Sequence, residues 1–63
     1  MTTLLVFYQD GPQLIKIGET LTEKELDPEE ALQKLGVDLQ SWALGHGMAW
    51  ADPQSVKLSP QST

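Results

Sequence analysis

The stretch Leu26-Asp27-Pro28-Glu29-Glu30-Ala31-Leu32-Gln33-Lys34-Leu35-Gly36-Val37 carries start and stop signals for a helix, and its apolar stripe sets what the remaining chain must supply. Asp27 stands as the N-cap, and Pro28 occupies the first helical position, where its missing N–H removes nothing. Glu30 can reach back to close a capping box. Leu26 is placed to staple onto Ala31, and Glu29 and Glu30 suit the positive end of the helix dipole. Gly36 supplies a left-handed stop, with Val37 positioned to fold back on Leu32. The helix spans about two turns, and Ala31, Leu32 and Leu35 need a second layer to cover them.

The N-terminal third supplies that layer. Leu4-Leu5-Val6-Phe7-Tyr8 is rich in β-formers, and Gln13-Leu14-Ile15-Lys16-Ile17-Gly18 alternates Leu14 and Lys16 against Ile15 and Ile17, the period of a half-exposed strand. Between them, Gln9-Asp10-Gly11-Pro12 offers a tight turn with positive φ at the glycine. After Gly36 two readings stand. Asp38 caps a second short helix over residues 39–44, with Leu39, Trp42 and Ala43 on one face and Gly45 as its stop. Alternatively, residues 37–43 form a strand that turns at Gly45-His46-Gly47, setting Trp42 opposite Trp50 as a cross-strand pair. The helix is the preferred reading. Asp52-Pro53-Gln54-Ser55 reads as a type I turn leading into a last strand over residues 55–58. The expected fold is α+β: a small antiparallel sheet, made of the N-terminal hairpin and one or two C-terminal strands, packed against one short helix and a possible second helical turn. The domain spans residues 1–58, and residues 59–63 form a flexible polar tail.

Sixty-three residues sit near the size at which one core barely offsets the entropy of ordering the chain. There is no cysteine, so no disulfide or thiolate metal site can staple the fold, and a cytoplasmic setting is expected. The longest apolar run, Leu4 to Tyr8, falls far short of the roughly twenty residues of a membrane span. No membrane association is expected.

Charge narrows the function further. Nine acids face four lysines and no arginine, for a net charge of −5. Nucleic-acid binding needs a cationic patch to displace counterions from phosphates, so no direct nucleic-acid contact is expected. Six of the nine acids fall within residues 19–30, where Lys24 is the one internal counterion. A solvated loop and helix start explains this run, and capping explains Glu29 and Glu30. The sharper reading is an acidic face, with Glu19, Glu23, Glu25 and Asp27, that docks on a basic protein surface.

The turn at Gly36 between two short apolar segments has the grammar of a helix-turn-helix. The second segment, Leu39-Gln40-Ser41-Trp42-Ala43-Leu44, holds no cation to approach phosphate, so the turn reads as a plain helix stop. Catalysis would have to pair a hydroxyl with His46, the one histidine, whose flanking glycines should leave the imidazole mobile. A metal site would join His46 to Asp38 or Asp52 without any repeated ligand spacing. No enzyme activity and no cofactor are expected.

Two tryptophans in so short a chain are many, and its core can bury about one of them. Trp42 and Trp50 are core lids, or Trp50 with His46 and Met48 forms an exposed anchor at a protein interface. The leading expectation is a non-catalytic protein-binding module or inhibitor that occludes a larger, basic partner such as a nucleic-acid-binding protein. Small acidic chains encoded by phages and mobile elements act in this way, an analogy of class alone. The alternative is an accessory subunit of a larger assembly, self-associating as a homodimer through a sheet edge.

Overall fold

The computed structural model describes residues 1–61. Strand β1 (Thr2–Asp10) and strand β2 (Gln13–Thr22) form the hairpin; helices α1 (Pro28–Leu35) and α2 (Leu39–Gly45) follow. A 3-10 turn (Pro53–Ser55) then leads into strand β3 (Val56–Gln61). The sheet is antiparallel in the order β2-β1-β3, so the first strand is central and β2 and β3 are the edges. Leu4, Val6 and Tyr8 alternate along β1 and are buried, together with Val56 of β3, Ala31 of α1, Leu39 and Ala43 of α2, and Ala51. Period-2 burial places both helices on one face of the sheet. The architecture is α+β, as expected.

The strands run longer than their apolar runs suggested. β2 continues through Glu19-Thr20-Leu21-Thr22, because these residues pair with Leu5, Leu4, Thr3 and Thr2. The acidic segment is therefore not a loop throughout: Glu19 lies on a strand and the loop begins at Glu23. A β-bulge makes the longer strand consistent with burial. Val6 pairs with Gly18 while Phe7 pairs with Lys16, which leaves Ile17 as the extra residue. Ile17 thus packs on the core, while Glu19 and Leu21 lie on the outward face. Gly18 belongs to this device: a Cβ there would stand 3.2 Å from Leu35 Cδ1, so the bare backbone lets α1 approach.

The expected polar tail is corrected at its start. Ser59, Pro60 and Gln61 extend β3 and pair with Leu5, Leu4 and Thr3. Pro60 is accommodated because β3 is an edge strand. Ser62 and Thr63 lie outside the described residues.

Helix α1 follows its signals. Asp27 is the N-cap, its N–H donates to Glu30 Oε1 at 3.5 Å, and Gly36 turns left-handed at φ 70°. The Val37 N–H then reaches Leu32 O at 3.1 Å and the Gly36 N–H reaches Gln33 O at 3.1 Å, the paired bonds of a Schellman stop. Residues 39–45 form the second helix, and the alternative strand with its Trp42–Trp50 pair does not occur. Its stop lies further on than expected. Gly45 is the last helical residue, and Gly47, at φ 78°, takes the left-handed position. Met48 N–H donates to Ala43 O at 2.9 Å and Gly47 N–H to Leu44 O at 3.2 Å, repeating the motif that ends α1. Both helices thus run from an aspartate to a glycine, and the second Asp and Gly lie 11 residues after the first.

Candidate functional site

The residues singled out from sequence fall into two groups at different ends of the sheet. Glu23 and Glu25 are exposed in the loop after β2, at the end where Thr2 pairs with Thr22. The Thr22 hydroxyl holds this loop, donating to Lys24 O at 2.8 Å and accepting from Lys24 N–H at 3.2 Å. Asp27 is taken up by the helix start. Glu19 stands apart on the uncovered face of β2, with Oε1 3.9 Å from Lys16 Nζ.

Trp42, His46, Met48 and Trp50 gather at the other end, around Tyr8. Tyr8 lies six steps along β1 from Thr2, about 20 Å along a strand. The acidic loop and the tryptophans therefore do not form one patch.

Trp42 is half-buried and sits between two rings. Its centroid is 5.6 Å from that of Tyr8, tilted by 55°, and 4.3 Å from that of His46, tilted by 31°. The His46 Nδ1 lies 2.8 Å from Trp42 O. A carbonyl can only accept, so Nδ1 carries the hydrogen. The imidazole expected to be mobile is thus held by a hydrogen bond and a stacked indole. This follows from the helix: residues four apart share a face, and His46 sits one turn after Trp42. Trp42 takes the role of core lid, and His46 closes the end of α2.

Trp50 is the outlier, with 63% of its surface exposed. Its neighbour Ala51 is fully buried. The Gln40 side-chain amide brackets Ala51, donating from Nε2 to Ala51 O at 2.7 Å and accepting at Oε1 from Ala51 N–H at 2.9 Å. The next N–H, from Asp52, donates to the Tyr8 hydroxyl at 2.9 Å. On the other side, Met48 is half-buried against the core. The indole therefore projects from a segment held directly after it at Ala51 and Asp52 and two residues before it at Met48, which limits the ordering entropy lost on contact. Gln40 and Tyr8 are positioning residues that the sequence reading missed. Gln40 sits in the first turn of α2 like any solvated helix glutamine, and nothing in its neighbours marks a partner eleven positions away.

Chemically, the Trp50 end of the molecule offers one large exposed aromatic ring with an indole N–H to donate, while the opposite end offers the exposed carboxylates of Glu23 and Glu25. Among the described residues, no three His, Asp or Glu side chains are placed to hold a metal ion, and no helix is long and apolar enough to cross a membrane. Compared with models of protein families, with curated proteins and with solved structures, the chain matches none.

Proposed function

We propose that this chain is a non-catalytic protein-binding module that seats Trp50 in an apolar pocket of a larger, basic partner and occludes that partner's surface. The observation that carries the reading is the 63% exposure of Trp50 next to the fully buried, doubly bonded Ala51. A large aromatic side chain on fixed backbone is the usual anchor of an interface, since burying it recovers apolar area at little conformational cost. The net charge of −5 favours a basic partner, a nucleic-acid-binding protein among them, and steers its approach. With Glu23 and Glu25 roughly 20 Å from the Trp50 end, they act on the rate of encounter rather than on the anchor itself. The reading requires no cofactor, and it places the protein in the cytoplasm with its partner.

Affinity capture from lysate at low salt tests it, followed by measured affinity for the captured protein. Trp50→Ala should weaken binding at least tenfold, as removal of an anchoring tryptophan does, and leave the thermal midpoint in place. Charge reversal at Glu23 and Glu25 should slow association and flatten its salt dependence. Binding that ignores Trp50→Ala, salt and both reversals rejects the reading.

A further inference from the structure

The helices cover one face of the sheet, and among the described residues the other face is bare. Pairing places Leu5 beside Glu19, Phe7 beside Lys16, Thr3 beside Leu21 and Gln9 beside Leu14 on that bare face. Leu14 and Leu21 are 53% and 55% exposed, and the Lys16 and Glu19 side chains 52% and 57%. Leu5 and Phe7, on the central strand, are partly exposed between them.

The order of these residues has a symmetry. Outward along β2 run Leu14, Lys16, Glu19 and Leu21: apolar, positive, negative, apolar. The bulge at Ile17 creates it, since regular alternation after Lys16 would have turned Gly18 outward and Glu19 and Leu21 toward the helices.

We propose that this bare face is an interface with a second copy of the chain, packed sheet on sheet about a two-fold axis that crosses the strands between Lys16 and Glu19. Such an axis sets each copy's β2 over the other's. Lys16 of one copy then faces Glu19 of the second, Leu14 faces Leu21 and Phe7 faces Leu5, and every contact occurs twice. The other in-plane two-fold that keeps the strands of the two copies aligned runs along them. It sets β2 over β3 and Lys16 near Lys57, which pairs with Phe7 in the same outward row, so like charges disfavour it. The twist of aligned sheets, about 30°, leaves the central rows in contact. Four outward rows on β1 and β2 and three on β3 give a patch on the order of 400 Å². Two copies bury about twice that, below the roughly 1,200 Å² of standard stable interfaces and in the range of transient ones, so the dimer should be weak, with a dissociation constant on the order of 100 μM. This inference uses a different surface from Trp50 and stands without the proposed partner.

Sedimentation equilibrium between about 10 μM and 1 mM covers the expected constant on both sides. The natural chain should pass from monomer to dimer. Lys16→Glu and Glu19→Lys should each weaken association on the order of tenfold, because two facing pairs turn repulsive, and the combined swap should restore it. Since the chain has no cysteine, mild oxidation of a mixture of Leu5→Cys and Phe7→Cys chains should yield a disulfide-linked heterodimer. Thr3→Cys mixed with Gln9→Cys is the second such pair should a variant at the half-buried positions fail to fold. All these positions lie on the central strand, out of reach of a partner added at an edge. A monomer at 1 mM overturns the proposal. So does association that tolerates the single reversals, or that links neither cysteine pair, which would indicate pairing along the edge of β2 instead.

Discussion

The two helices begin and end alike, yet they are held by different means. α1 carries its instructions locally: proline at its first position, acids in its first turn, Glu30 reaching back to the cap, Lys34 in its last turn and a left-handed glycine. α2 has no acid in its first turn and no base in its last. Its Asp38 carboxylate accepts from the Ser41 hydroxyl at 2.8 Å instead of from a helix N–H. What secures it is distant in sequence: Trp42 on Tyr8, and Gln40 on the backbone of Ala51. A helix can be specified by its own caps or by what it touches, and only the first kind announces itself in a linear reading.

The greatest stress on that contrast comes from Trp42→Ala. Removing the indole that joins α2 to Tyr8 should cost about 3 kcal/mol, the low end for a large aromatic because the ring is half-buried. Denaturant unfolding reads the loss, and a cost below about 1 kcal/mol would mean that Leu39 and Ala43 alone hold α2.

Gln40→Ala should cost about 2 kcal/mol by leaving the N–H and C=O of buried Ala51 unpaired. Hydrogen exchange at the Ala51 amide should quicken, while the α1 amides keep their protection. Uniform loss of protection across both helices would show that α1 also depends on these distant contacts.

The glycines test where each helix stops. Gly36→Ala and Gly47→Ala should each cost about 1 kcal/mol, since both positions are left-handed. Gly45 is helical and has open space at its Cβ position, so Gly45→Ala should add roughly 0.5 kcal/mol to stability. Unfolding midpoints of the three variants decide this, and a loss at Gly45 would return the stop to that residue.

The smallest expected difference lies at the caps. Asp27→Ala should cost about 1 kcal/mol and Asp38→Ala about half of that, because Asp38 bonds an exposed hydroxyl rather than the helix end. Equal costs in thermal melts would show that both starts are locally specified after all.

The unequal legibility of the two helices extends to the surfaces. The hairpin, α1 and the turn at Asp52 can be read from neighbouring residues because each depends on interactions spanning a few positions. The length of β2 could not be read in this way. Glu19 and Leu21 break the alternation set by Ile15 and Ile17, and only pairing with β1 absorbs the break in a bulge. Nor could the polar C-terminal residues be recognised as strand, since Ser59, Pro60 and Gln61 are β-poor and owe their conformation to β1. His46 looked loose between glycines until the turn of α2 beneath it supplied a carbonyl and a ring.

From the sequence alone came the composition of the layers: a hairpin, a capped helix, a surplus of acid and two tryptophans with one core to share. Tertiary structure alone decided that Trp42 would be the lid and Trp50 the exposed ring, and that Lys16 and Glu19 would lie side by side on a bare sheet. The physical reason is range. Caps and turns act over a few residues, whereas burial, bulges and edge pairing depend on where the chain returns, as when Tyr8 meets Asp52, 44 positions away.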